Sequence, residues 1–226
     1  MKESIFTSAE ELNRAFSARI AGLLQAALED KGSASLLVSG GRTPLPLFQS
    51  LSETDLDWAN VTISLADERW VANDDAASNE KLVRENLLQG KAASANFIPL
   101  KTAHADAADA VSALTDAFSA VAQPFDVVIL GMGEDGHTAS LFPCSEQVEE
   151  GLETDATFLA VQPTTAPHQR MSFSFNALKT SKALFLHLTG DKKKAVLDDA
   201  LAGDDLLAMP IRAFLQQTDI ELFWAP

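Results

Sequence analysis

Cysteine is almost absent from this chain. The lone thiol, Cys144, excludes an internal disulfide and a cysteine-cluster metal site. No activating pattern surrounds it, so it reads as a small apolar packing residue. Long hydrophobic runs are also missing. No stretch approaches the roughly 20 apolar residues of a membrane-spanning helix. The opening segment, MKESIFTSAEEL, has no apolar signal core, and a cytoplasmic protein is the expectation. Positive charge is scarce: 17 Lys and Arg stand against 32 Asp and Glu, a formal net charge of −15. A nucleic-acid-binding surface is therefore not expected. Any anionic ligand must be met by a local basic cluster against an unfavourable overall field, which favours a small, enclosed anion over a long polyanion. There is no internal repeat, low-complexity tract or linker. What the chain does have is core material: 46% of its 226 residues are hydrophobic. That is enough for a single domain over residues 1–226, with room for a small C-terminal lobe.

Periodicity alternates between strand and helix. Ser8 to Asp30 reads as a helix, with Leu12, Phe16, Ile20, Leu23 and Leu24 on one face. Thr7 and Ser8 each precede a Glu by three positions, as in a capping box, and Gly32 ends the segment. Further helices fit a start near Pro44 and Pro46, then Asn79–Leu88 behind a Ser78 cap, Ala105–Val121 and Asp191–Leu201. Strands fit Ser35–Val38, Val61–Leu65, Val127–Leu130, Thr157–Val161, Arg170–Phe175, Ala183–Leu188 and Ile220–Trp224. The alternation predicts an α/β fold, a mostly parallel sheet flanked by helices. Ligands of such sheets bind beyond the carboxyl ends of the strands.

Polar clusters stand at those ends. The most informative follows Val127–Leu130 and contains Gly131, Gly133, Asp135, Gly136 and His137. Glycines there let backbone approach a ligand closely, and an imidazole adds a positioned proton carrier. The spacing matches G-x-G-x-x-G, but Pro143 interrupts the helix that a dinucleotide fold requires, and the next strand runs into Gln162 and Pro163 with no acidic residue. Ser39-Gly40-Gly41-Arg42-Thr43 joins a strand to a helix and offers N–H groups and hydroxyls to a phosphate, without a Walker Gly-Lys-Ser/Thr. Asp67-Glu68-Arg69-Trp70 directly follows apolar Ile63 and Leu65. Asp67 suits sugar hydroxyls and Arg69 suits an anion. Arg170 opens a strand, and Lys192, Lys193 and Lys194 open a helix; spacing alone does not choose among the lysines. His104 and His168 fall in loops, and His187, within an apolar strand, reads as a hydrogen-bonded core residue. No histidine stands at metal-ligand spacing from His137. Ser39 and Ser140 lie near glycines, but neither occupies a G-x-S-x-G elbow.

Together these blocks resemble the 6-phosphogluconolactonase family. The resemblance is carried by Ser39 to Pro44, Asp67-Glu68-Arg69-Trp70-Val71, Ser78-Asn79, and above all GMGEDGHTASLFP from Gly131 to Pro143. The related glucosamine-6-phosphate deaminases share the Gly-Gly, Asp-Glu and Asp-Gly-His positions. They usually end the last block in Asn-Glu-Pro and carry Tyr where this chain has Arg69. The resemblance implies a fold similar to the ribose-5-phosphate isomerase/glucosamine-6-phosphate deaminase group, with no metal and no organic cofactor. It implies hydrolysis of 6-phospho-D-glucono-1,5-lactone to 6-phosphogluconate in the oxidative pentose phosphate pathway, with that small sugar-phosphate lactone as partner and oligomeric state left open. His137 becomes the general base, with Asp135 set to orient its ring. Arg69 or glycine-loop N–H groups such as that of Gly133 would meet the oxyanion. Ser39, Gly40, Gly41, Arg42, Thr43 and Arg170 become phosphate contacts. Lys194 joins them by similarity to a Gly-x-x-Lys-Ala stretch, one residue longer here. The alternatives are a sugar-phosphate isomerase or deaminase with Asp67 as base, and a non-catalytic sugar-phosphate-binding protein.

Overall fold

A computed structural model describes residues 1–226. Its ten strands are β1 (Lys2–Ile5), β2 (Ala34–Val38), β3 (Val61–Leu65), β4 (Asp67–Arg69), β5 (Asn96–Phe97), β6 (Val127–Leu130), β7 (Phe158–Val161), β8 (Arg170–Phe173), β9 (Ala183–Thr189) and β10 (Glu221–Ala225). The eight helices are α1 (Ala9–Lys31), α2 (Leu45–Ser52), α3 (Asn79–Asn86), α4 (Val111–Phe118), α5 (Val148–Glu153), α6 (Phe175–Lys179), α7 (Asp191–Ala202) and α8 (Ile211–Gln217).

Seven strands form one sheet in the order β1-β10-β9-β6-β2-β3-β5. Every pairing in it is parallel. The central strands are buried along their whole length, as expected where helices cover both faces. β6 lies between β2 and β9, with Val38 beside Ile129 and Leu130 beside Leu186. The loops leaving β2, β6 and β9 therefore emerge side by side at one edge of the sheet, where the strand order reverses.

The long helix α1 shows why the ends fall where they do. Ser8 Oγ accepts from the Glu11 N–H at 3.2 Å, and Gly32 closes the helix in the left-handed region at φ 72°. Its face of Leu12, Phe16, Ile20 and Leu24 is fully buried. Phe16 stacks on Phe223 at 4.2 Å between ring centroids and meets Phe185 edge-on. Each such side chain stabilises the fold by about 1.5–3 kcal/mol relative to exposure. At the opposite end of the sheet from the loops, buried Asp126 forms ion pairs with Lys31 Nζ (2.9 Å) and Lys182 Nζ (3.1 Å) and accepts the Ser35 N–H (2.9 Å). Hydrogen bonds from the two lysines and Ser35 outweigh the opposing effect of burial, so this carboxyl sits below its ordinary pKa.

A second, antiparallel sheet in the order β4-β8-β7 was not expected. The Asp67-Glu68-Arg69 run reads as a loop by charge. It is a strand because β8 supplies its ladder partners, and Phe173 N–H bonds Ala66 O at 3.1 Å. One hydrophobic cluster of 56 residues includes members of both sheets, so the small sheet is anchored to the large one. The strand predicted to reach Phe175 stops at Phe173, where Ser174 Oγ accepts from the Ala177 N–H and starts α6. The helix predicted over Ala105–Val121 shrinks to Val111–Phe118 behind a short 3-10 turn. No side chain caps its start, and Ala107 is instead tied to Gln169. β1, β5, α5 and α8 are short and had no readable period; β1 is held by its ladder to β10. No helix is long and apolar enough to cross a membrane.

Candidate active site

The loops after β2, β6 and β9 and the edge of the small sheet surround a cleft of 330 Å³. Gly131 to Gly136 folds back on itself instead of opening a helix. Gly133 N–H donates to His137 O at 2.8 Å, and Gly136 turns the chain at φ 76°. A Cβ at Gly133 would collide with the His137 ring, so glycine is what lets the imidazole lie against the backbone. Asp135 Oδ1 lies 2.5 Å from His137 Nδ1 and also accepts the His137 N–H at 3.2 Å. Phe142 stacks on the ring at 4.0 Å. With Nδ1 engaged, Nε2 is the free nitrogen. Partial burial works against ionised Asp135, but hydrogen bonds and the charge interaction with His137 prevail and hold its pKa below the ordinary value.

In the β2 turn, Ser39 Oγ donates to Ile129 O at 3.1 Å and accepts the Gly131 N–H at 3.3 Å. Its hydroxyl thus fastens two loops together. Gly40 is packed against the Asn79 side chain where a Cβ would stand, and Gly41 takes φ 98°. Arg42 and Thr43 complete the turn and line the cleft.

The small sheet delivers the basic groups. Arg69 and Arg170 stand directly opposite each other across the β4–β8 ladder. Arg69 Nη1 donates to Ala77 O (2.6 Å) and Arg170 Nη2 to Pro167 O (3.2 Å), while both Nε atoms are buried without a partner. Like charges so placed repel. Burial lowers the Arg170 pKa, Asp67 counteracts that, and Arg69 adds to the lowering. Asp67 is itself buried, and its Oδ2 accepts from Ser140 Oγ at 2.5 Å. Next to it, fully buried Glu68 faces away from the cleft lining. It accepts the N–H groups of Asn79 (2.8 Å), Glu80 (2.7 Å) and Arg69 (2.7 Å) and so closes the start of α3. Burial raises its pKa despite those donors.

Of the sequence-predicted residues, Ser39, Gly40, Gly41, Arg42, Thr43, Asp67, Arg69, Gly133, His137 and Arg170 line the cleft together. Asp135 stands behind the His137 ring. Lys194 does not line it; its Nζ pairs with Asp198 one turn along α7. Lys193 lines it instead and donates to Met132 O at 2.8 Å. Counting from Ala195 selects Lys194, whereas counting three from Gly190 selects Lys193, and that was the usable signal. Gly133 also differs from expectation: its N–H is committed to His137 O, so its contribution is the missing side chain. Two further readings change. His187 borders the cleft, and neither ring nitrogen has a hydrogen-bond partner. Cys144 is half-buried rather than packed in the core, with Sγ 3.2 Å from Thr165 Oγ1. Hydrogen bonds from Thr165 and Thr164 overcome the opposing effect of burial and lower its thiol pKa to about 7.

Fold and cleft define an α/β protein with basic side chains gathered beside a carboxylate-oriented imidazole. The chain belongs to the glucosamine-6-phosphate isomerases/6-phosphogluconolactonase family, whose model matches residues 7–224. It is 42% identical over 224 residues to a 6-phosphogluconolactonase of Pseudomonas aeruginosa, covering 98% of this chain and 94% of that one. A 6-phosphogluconolactonase of Rhizobium meliloti is also 42% identical, with 98% and 97% covered. The crystal structure of a 6-phosphogluconolactonase from Shewanella baltica superposes with a TM-score of 0.98 at 46% identity, covering 100% of this chain and 98% of that one.

Proposed function

We infer that this protein hydrolyses 6-phospho-D-glucono-1,5-lactone to 6-phosphogluconate in the oxidative pentose phosphate pathway. The observation that carries the reading is the convergence of His137, Arg69, Arg170 and Lys193 on one cleft in a chain of this family.

A δ-lactone is an activated ester, so water suffices as nucleophile. Asp135 accepts from Nδ1–H and fixes the tautomer, leaving Nε2 of neutral His137 to take a proton from water as its oxygen attacks C1. General-base assistance of this kind is worth about 10²–10⁴ in rate. The C1 oxyanion is met by the Arg69 guanidinium, and one such donor is worth about 10²–10³. Collapse of the tetrahedral adduct re-forms the carbonyl and breaks the C1–O5 bond. The proton held by His137 passes to O5, and the resulting hydroxy acid loses its carboxyl proton to solvent.

The phosphate is held by Arg170 and Lys193 with the Gly40–Thr43 turn. Arg170 Nε needs an acceptor, and a dianion relieves the repulsion between the facing arginines. Binding at that remote end orients C1 toward the imidazole. Asp67, secured by Ser140, accepts from sugar hydroxyls. The same bond disfavours the isomerase reading, because a carboxylate oxygen held by a donor is a poorer proton carrier. The proton carrier and the cationic groups assigned above account for each step, so the reaction is metal-independent in this reading. The continuous core supports one lactonase domain over 1–226. A phosphorylated substrate, retained by membranes where it is made, supports a cytoplasmic enzyme.

The test is a stopped assay on freshly made lactone beside an ammonia-release assay on glucosamine 6-phosphate. Accelerated lactone loss without ammonia is expected. Ammonia release would assign a deaminase, and sugar-phosphate binding without either reaction would assign a binding protein.

A further inference from the structure

His187 is the anomaly of the sheet. It is 3% exposed, and every β9 neighbour from Leu184 to Leu188 is an apolar buried residue. Its ring packs edge-on to Phe16 at 5.2 Å. Both nitrogens are sealed from bulk water and unpartnered. Buried polar groups are paired in the great majority of cases, because an unmade hydrogen bond leaves the desolvation penalty uncompensated. A leucine or valine would suit the packing and incur no such cost. His187 is nonetheless among the residues that line the cleft, so a small turn of the ring would present a nitrogen to a bound ligand.

Its height in the sheet is informative. Leu186 pairs with Leu130, the last residue of β6, so His187 sits level with the point where the Gly131–Gly136 loop departs. Three residues later Gly190 starts the turn that carries Lys193. His187 therefore lies between the structure that holds His137 and the structure that holds Lys193. A substrate spanning those two groups passes over it.

The chemistry of the ring narrows what it takes. Burial lowers its pKa to about 4, so the ring is neutral over the physiological range. A neutral imidazole has one donor and one acceptor nitrogen. It adds no charge for a phosphate, which Arg170 and Lys193 already meet. A hydroxyl donates and accepts in the same way and is its natural complement.

We propose that His187 is a substrate-binding, specificity-determining residue that hydrogen-bonds a ring hydroxyl of the phosphorylated sugar lactone. The proposal rests on the lactonase reading for the identity of the sugar. It predicts discrimination against deoxy sugars, because a buried imidazole left unpaired by its ligand is penalised.

The experiment compares wild type with His187→Leu and His187→Gln. Wild-type turnover of the lactone is measured first; its absence would refute the lactonase reading, and the imidazole ¹⁵N resonances would then test the proposal by themselves. Expected for His187→Leu is a KM raised about tenfold with kcat little changed, partly restored in His187→Gln. Affinity for inorganic phosphate should be the same in all three. An unchanged KM in a folded His187→Leu protein overturns the proposal. If that variant fails to fold, the imidazole ¹⁵N resonances of the wild type decide. They should shift on saturation with 6-phosphogluconate and stay in place with inorganic phosphate. No shift with the sugar, or equal shifts with both, overturns it.

Discussion

The space beside the Gly133 Cα is occupied by the ring of His137, while the Gly133 N–H donates to the His137 carbonyl at 2.8 Å. Backbone and imidazole are thus fixed to each other at two points. Gly133→Ala should expel the ring from this seat. A fall in kcat of about tenfold or more is expected, with the far-UV circular dichroism unchanged. Wild-type kcat would show that the ring's position is not critical.

The His137–Asp135 pair should behave as a unit. His137→Ala should lower kcat at least about a hundredfold with little change in KM, measured after subtraction of spontaneous lactone hydrolysis. Asp135→Asn should also lower kcat, because an amide does not hold the Nδ1–H tautomer as a carboxylate does. The double variant should be no slower than His137→Ala alone. Independent, multiplying losses would separate Asp135 from the proton transfer.

Adjacent lysines should differ sharply. Lys193→Met should raise KM for the lactone about tenfold or more, whereas Lys194→Met should stay within about twofold of wild type. Arg170→Ala should act like Lys193→Met and weaken inorganic phosphate as a competitive inhibitor. The reverse ranking of the two lysines would relocate the phosphate.

Incubation with excess EDTA followed by gel filtration should leave kcat/KM unchanged. Loss of activity restored by a divalent cation would require a metal in the reaction.

Asp126 contributes to the pH dependence of stability. Its folded pKa lies below the ordinary carboxyl value, so its contribution is present above that value and lost as pH falls through the folded pKa. Thermal unfolding followed downward from about pH 5 should show Tm falling in acid, with a shallower slope for Asp126→Asn. At neutral pH, Asp126→Ala should cost about 2 kcal/mol, limited because Lys31 and Lys182 can turn toward water. An identical acid slope in the variant would place the titration elsewhere.

Most of the fold and much of the cleft were legible in sequence. The apolar runs of β2, β6 and β9 and the α1 face repeat at the periods of their elements. Gly40, Gly41, Gly131 and His137 stand at strand ends, where a parallel sheet exposes them. β4 was not legible, because three charged residues become a strand only when β8 supplies their partners, about a hundred residues later. The same long-range pairing opposes Arg69 to Arg170 and brings Ser140 to Asp67.

The amino-acid sequence alone determined the parallel α/β class, the order of the loops and the imidazole–carboxylate pair two residues apart, since all three follow from local period and short spacing. Tertiary structure alone decided which lysine enters the cleft, what secures Asp67 and that His187 is unpaired. One residue along a helix turns a side chain by about 100°. Neighbours along a strand face opposite sides. Only the docking of α7 and the register of β9 against β6 choose which side chain meets the ligand.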